Sequence, residues 1–316
     1  MIPQFNELTV DKPLASNDFM RDTALPWLKA FTADQTQSEF HFERGDRIYQ
    51  IDVQYLYSGK RKRGYQFFIT DDTEDQNYIK LLNSFNTELQ LEVDKKTAHI
   101  MEMHDNLVLS MAVMVESRDN STGGHIRRTS EGVRILVAQM RSSAAEGTAA
   151  DGLAEVLTDS FCRNVAKAAP MHDLGKIAVD DAILCKPGRF TPEEFEKMKA
   201  HSAEGARIVH EILKGTDDDE FRRIAENVAH YHHERWDGSG YPEGLSGEAI
   251  PLEARIMAIA DVYDALVSKR VYKEAMPFDK ADAIIMEGMG SQFDKSLEPY
   301  YVATRPLLEQ YYLDQE

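Results

Sequence analysis

The stretch "AHYHHERWDGSGYPEGL", Ala229 to Leu245, puts His230, His232 and His233 within four positions and follows them with Asp237 and the glycines Gly238, Gly240 and Gly244. Histidine-rich tracts bind metal, and glycine lets a ligand come close to the backbone. A polar helix end running into a turn has the same composition, so the tract gains meaning only from partners elsewhere. The sequence supplies them: "GGHIRR" contains His125, "MHDLGKI" His172 and Asp173, "MKAHSAEG" His201, and "AIADVYDAL" Asp261. With His232 and His233 the set holds five imidazoles and two carboxylates. Nitrogen and oxygen donors without sulfur suit iron, manganese, cobalt, nickel or zinc better than calcium or copper(I). A carboxylate in such a set can bridge two ions, which a lone histidine cluster cannot do.

Separate helices have to carry these residues. From about Met114 onward the apolar spacing is helical, without convincing strands. "TPEE", Thr191 to Glu194, is a capping box with proline at the first helical position, and it starts the helix that carries His201. The small, acidic "SSAAEGTAADG", Ser142 to Gly152, predicts a loop between helices. Nearer the N-terminus, Phe40 to Thr70 shows short alternating apolar runs such as Ile51, Val53 and Tyr55. These read as antiparallel strands joined by a hairpin at the basic, turn-rich "SGKRKRG", with "DDTED" starting the next helix.

That helix is expected from Tyr78 to about Glu116. Tyr78, Leu82, Phe85 and Leu89 step by four and three, and Val93, Ile100, Leu107 and Met114 recur every seventh residue. A parallel two-helix coil between protomers fits this seam, and a helix packed on its own domain is the alternative. The partner positions Thr97, His104 and Met111 are only partly apolar, and the paired four-residue steps at Phe85, Leu89 and Val93 form a stutter. His104 is read as a seam or surface residue, not a ligand.

The 316 residues carry a formal net charge of −18, which argues against nonspecific binding to DNA, RNA or an anionic membrane face. A small anionic ligand then needs local cations or metals. Cys162 and Cys185 are too few for a disulfide scaffold or a cysteine-based zinc site. No run approaches the ~20 apolar residues of a membrane-spanning helix, and no signal pattern opens the sequence, so a cytoplasmic location is expected.

The ordered set "ESRDNSTGGHIRR", "HDLGKIAVDDAILCKPGRFTPEEFEKMKAHSAEG", "HHERWDGSGYP" and "ADVYDALVSKRVYK" resembles the HD-GYP family of cyclic dinucleotide phosphodiesterases, a branch of the HD metal-dependent phosphohydrolases. The likeness covers roughly Met114 to Tyr301. It implies metal ligation by His125, His172, Asp173, His201, His232, His233 and Asp261, with Asp173 as the bridging carboxylate. Lys176 would face the scissile phosphate, and Tyr241, Arg270 and Lys273 would bind substrate. His210 and His230 have no family match and are read as structural, while Glu116 and Arg118 match a pattern better suited to supporting the fold than to ligation. Some family members place a glutamate four residues before the first ligand histidine. Ser121 stands there in this chain, so two ions are expected instead of three. Iron or manganese is the expected metal, with nickel, cobalt and zinc as alternatives.

Such a pair of ions generates hydroxide at neutral pH and cancels phosphate charge, while Lys176, Arg270 and Lys273 add fixed positive charge. The resemblance implies hydrolysis of cyclic di-GMP to pGpG, with GMP left open as a further product. A mixed GMP-AMP ring is the alternative substrate, and a catalytically silent receptor the alternative function. The expected fold is mainly α: an all-helical HD-type domain over 114–316, preceded by a coiled-coil helix over 76–113. Residues 1–75 would form a small strand-rich, PAS-like α+β segment, either truncated or cut from a longer sensor. A homodimer through the 78–114 helix follows from the seam.

Overall fold

Apolar alternation between Phe40 and Ile69 builds an antiparallel meander of three strands in the order β1 (Glu39–Arg44), β2 (Arg47–Ser58) and β3 (Arg61–Asp71). The structure is a computed structural model that describes residues 21, 24–33, 38–119, 123–148, 152–269 and 275–315. It divides into two compact units, Met1–Ala98 and His99–Glu316. In the first unit, α1 (Leu25–Ala33) lays Leu28 and Phe31 against Phe40, Ile51 and Val53 of the sheet. Trp27 stacks on Phe40 with ring centroids 5.8 Å apart.

The hairpin is tighter than the sequence suggested. Only Gly59 and Lys60 separate β2 from β3, with Gly59 in the left-handed region at φ 63°. The basic residues Arg61, Lys62 and Arg63 belong to β3 itself. Lys62 can be a strand residue because its ammonium stands 3.5 Å over the Tyr55 ring.

Helix α2 runs from Thr73 to Glu116, starting where "DDTED" predicted. Within the second unit its last turns bury Val108, Ala112 and Val115. Leu107 and Met114, which belong to the seven-residue repeat, stay exposed. The end of α2 therefore carries two apolar stripes, one packed on its own unit and one facing outward.

The second unit continues with α3 (His125–Ala145), α4 (Asp159–Ala168), α5 (Asp181–Leu184), α6 (Pro192–Leu213), α7 (Asp219–Tyr231), α8 (Leu252–Val267), α9 (Phe278–Gly288) and α10 (Glu298–Leu313). Helices are its regular elements, as expected, and no strand of more than an isolated bridge lies among its described residues. Helix α3 reaches Ala145, so the expected loop from Ser142 begins later than predicted. The alanines there extend the helix, and Gly147, at φ 71°, lies just past its end.

Helix α8 is buried on nearly every side, from Ala254 through Ala260, and packs against α3, α7 and α9. A helix apolar all round belongs inside a bundle. Thr191 caps α6 through the predicted box, accepting from the Glu194 N–H while the Glu194 carboxylate accepts from the Thr191 N–H. Gly175 fixes the distance between α6 and the turn after Asp173. A β-carbon there would lie 1.8 Å from the His201 carbonyl oxygen and 2.4 Å from the Gly205 nitrogen.

Candidate metal centre

The second unit gathers the seven expected ligands from five places. His125 is the first residue of α3, and its N–H donates to the buried Glu116 carboxylate at 2.6 Å. His172 and Asp173 sit between two short 3-10 turns, Ala169–Met171 and Leu174–Ala178. His201 lies mid-way along α6, His232 and His233 follow directly after α7, and Asp261 projects from α8.

Asp173 stands between two groups of them. Its Oδ2 is 3.3 Å from His172 Nε2 and 3.7 Å from His125 Nε2, while its Oδ1 is 3.6 Å from His201 Nε2 and 3.9 Å from His232 Nε2. The ligand atoms of His125, His172 and Asp173 lie within 4.8 Å of one another, as do those of Asp173, His201, His232 and His233. Asp261 joins the first group, its Oδ1 being 3.5 Å from His125 Nε2. All seven residues expected to ligate are thus brought together, with one carboxylate common to both groups.

The donor chemistry fits divalent cations. The Nδ1–H groups of His172, His201 and His232 are spent on backbone carbonyls at 2.8, 2.7 and 3.0 Å, so each Nε2 lone pair faces the cluster. The buried Nε2 atoms of His201 and His232 have no hydrogen-bond partner in the protein. Orphaned acceptors in a dry site are unfavourable unless something binds them. Burial also lowers the pKa of His201, of His232 far below the ordinary value, and of His233 to about 4, each assisted by neighbouring imidazoles or cationic groups. Neutral imidazole is the ligating form.

His125 differs. Burial opposes its charge, but hydrogen bonds with Asp173 and Asp264 outweigh that and raise its pKa to about 9. A cation at Nε2 takes the place of that proton, so binding there releases one. Burial likewise opposes ionisation of Asp173, yet Lys176, His172 and His125 together hold its carboxyl well below the usual range.

Lys176 reaches Asp173 Oδ2 at 2.8 Å and Asp119 Oδ2 at 3.0 Å. Burial disfavours its charge, but these two carboxylates outweigh that and raise its pKa. The Tyr241 ring lies 4.8 Å from that of His233 and edge-on to Phe195 at 6.0 Å. Burial, with Asp173 and Asp261 adding to it, raises the Tyr241 pKa, so its phenol remains a donor. Gly240 brings the loop in tightly: a β-carbon would come within 2.6 Å of the backbone of His233, Glu234 and Arg235.

Two clefts open at the cluster, of about 300 and 190 Å³, and both are lined by His233 and Val262. Phe195, Lys199, Arg235 and Tyr241 line the larger one, and Asp119, Lys176 and Asp261 the smaller. Arg270, Lys273 and Ser121 lie outside the described residues.

Three supporting carboxylates escaped the sequence reading. Asp264 accepts from His125 Nδ1 at 2.7 Å, from Arg128 Nε at 2.6 Å and from the Tyr312 hydroxyl at 2.9 Å. It sits three residues after Asp261 on α8, so its spacing was a signal that it shares that face. Asp119 pairs with Lys176, and Glu234 accepts the Glu243 and Gly244 N–H groups at 2.8 and 3.0 Å, holding the glycine-rich loop. Glu116 and Arg118 support the fold, as read. Arg118 ties its segment to the Ile177 carbonyl and Asp181. His210 and His230 pair with Glu226 and Glu243 away from the cluster.

A helical frame on which histidine and aspartate side chains share one buried carboxylate defines a class, that of helical proteins with a site for divalent metal. The HD domain family matches residues 114–297, and this chain belongs to it. A Vibrio cholerae protein named cyclic di-GMP phosphodiesterase is 44% identical over 199 residues, covering 63% of this chain and 39% of that protein. A probable cyclic di-GMP phosphodiesterase of the same organism is 43% identical over 216 residues, 68% of this chain and 47% of the other. A third Vibrio cholerae protein, named a 3'3'-cGAMP-specific phosphodiesterase, is 34% identical over 213 residues, 67% of this chain and 37% of its own. The chain therefore spans less than half the length of each of these relatives.

Proposed function

We propose that this chain is a metal-dependent phosphodiesterase that hydrolyses cyclic di-GMP to pGpG. The observation that carries the reading is Asp173, whose two oxygens face two different histidine groups. In this reading His125, His172, Asp173 and Asp261 hold one divalent ion, and Asp173, His201, His232 and His233 hold the other. Such ions, when bound, lower the pKa of water and neutralise phosphate charge. Iron or manganese is the metal pair this reading adopts.

The chain's own groups do the rest. Lys176 keeps its charge beside Asp173 and meets negative charge growing on the phosphoryl oxygens. Tyr241 and Phe195 wall the larger cleft with ring faces suited to a nucleobase, and Tyr241 offers a hydroxyl donor. Lys199 and Arg235 also line that cleft, with Glu196 2.7 Å from the first and Asp237 3.7 Å from the second. Arg270 and Lys273 are assigned to the substrate phosphates on the family likeness. Two of the relatives carry cyclic di-GMP in their names and favour that substrate. The third favours a mixed ring as the second reading.

The same proposal includes a cytoplasmic parallel homodimer through α2, regulated by a sensory N-terminal segment over residues 1–75. Its support is the outward stripe of α2, on which Tyr78, Phe85, Ile100 and Met114 are each more than half exposed. No helix among the described residues is long and apolar enough to cross a membrane.

The test is product analysis on protein reconstituted anaerobically with iron or manganese, offered cyclic di-GMP and 3'3'-cGAMP separately. Linear pGpG from the first at a rate at least tenfold above the second is the expected result. Preference for the mixed ring would move the assignment to the second reading, and no product from either would leave a silent receptor.

A further inference from the structure

A cavity of about 520 Å³ lies in the second unit and shares no lining residue with the two clefts at the metal centre. Val108 and Leu109 of α2, Ala166 of α4, Met171, Phe221 of α7 and Tyr311 of α10 form its apolar wall. Its volume lies within the range of small-molecule sites, which combine apolar walls with a few placed polar groups. Three cations also line it: Arg127, Arg134 and Lys167. Arg134 is held by a bidentate pair with Glu131, and Lys167 reaches Asp105 at 3.1 Å. Arg127 is exposed and has no carboxylate partner among the described residues. An open guanidinium beside two aromatic side chains matches an anion with an aromatic body.

The position of the cavity gives it a consequence. Arg127 comes two residues after His125 on α3, and Met171 immediately precedes His172. Val108 and Leu109 lie on the same helix as Glu116, whose carboxylate holds the His125 N–H. A ligand here therefore touches the segments that carry two metal ligands, without touching the ligands themselves.

We propose that this cavity binds an aromatic monoanion, its ring system among Leu109, Met171, Phe221 and Tyr311 and its charge on Arg127, and that occupancy is coupled to the metal centre through His125 and His172. The coupling rests on the metal-centre reading, whereas binding does not. The probe is anilinonaphthalene sulfonate, titrated into the 316-residue chain by calorimetry and fluorescence, with phenylnaphthylamine as the counterpart lacking the sulfonate. One saturable site per chain is expected, with about tenfold weaker binding of the neutral compound and of the sulfonate to Arg127→Gln. Ala166→Trp, which fills the cavity, should abolish the site. Arg127→Gln alters an exposed side chain, so it remains informative if Ala166→Trp fails to fold. Unchanged affinity in Arg127→Gln, or equal affinity for the neutral compound, overturns the anion site.

Coupling is reciprocal, so the probe's affinity should differ at least threefold between metal-loaded and chelated protein. Equal affinity in both overturns the coupling. Undiminished metal in an Asp173→Ala variant would strike the metal-centre reading instead, and the binding result would stand.

Discussion

Around Asp173, the side chains of His172, His201 and His232 are at most 2% exposed, whereas along α2 Tyr78, Phe85, Ile100 and Met114 are 58–68% exposed. In the first region the buried Nε2 atoms of His201 and His232 have no hydrogen-bond partner in the protein. The second leaves apolar groups in water. Both depart from the usual distribution, in opposite senses. Each region lacks a partner of its own kind. Orphaned nitrogens need a cation, and an apolar stripe at heptad spacing needs another apolar stripe.

The comparison breaks first at the cluster, where the largest effects are expected. His172→Ala and His201→Ala remove one ligand from each side of Asp173. Each should lower turnover by a factor on the order of 10³, since each removes a group that would hold one of the two ions. Steady-state rates on cyclic di-GMP check this, and a residual rate above about one tenth in either variant would separate that histidine from the chemistry. Asp264→Ala should come next. It leaves Arg128 and His125 without their buried carboxylate, a loss of about 3–5 kcal/mol in stability, and metal affinity should fall 10–100-fold. Thermal unfolding and metal titration read the two effects separately.

Smaller effects are expected where substrate is held and not activated. Arg270→Ala and Lys273→Ala should each weaken kcat/KM about tenfold while metal content stays at the wild-type level. Unchanged kinetics in both would show that "RVYK" does not meet the substrate. The stripe on α2 should give the mildest change in the isolated activity. One residue inserted between Leu89 and Val93 rotates the following seam by about 100°, whereas seven residues restore the heptad register. Activity should therefore shift severalfold with the first insertion and return toward wild type with the second. Light scattering should report a dimer at micromolar concentration for the native chain. A monomer with both insertions behaving like wild type would leave α2 as a tether.

Much of the cluster was legible because its signals are chemical and local. Histidine is uncommon, and five of the seven expected ligands fall in three short words, "GGHIRR", "MHDLGKI" and "HHERWDG", with "MKAHSAEG" and "AIADVYDAL" supplying the other two. The capping box at Thr191 was legible for the same reason, since its hydrogen bonds span three residues. Asp264, Asp119 and Glu234 were not, because a lone carboxylate means nothing until the fold supplies its cation or its N–H groups. Asp264 meets His125 across 139 positions of sequence. The hairpin misreading has a comparable origin. Basic residues near Gly59 look like turn, but Lys62 stands over Tyr55 across the ladder, and that contact is invisible in the sequence. On α2 the seven-residue spacing marks Leu107 and Met114, whereas Val108, Ala112 and Val115, the stripe that packs inward, fall outside it.

The central claim is that one carboxylate holds two ions. Elemental analysis of metal per chain, on protein reconstituted under saturating iron or manganese and desalted, tests it most directly. Asp173 faces both histidine groups, so the native chain should retain two ions and Asp173→Ala at most one, with circular dichroism showing the helices intact. Two ions retained by Asp173→Ala would contradict the account.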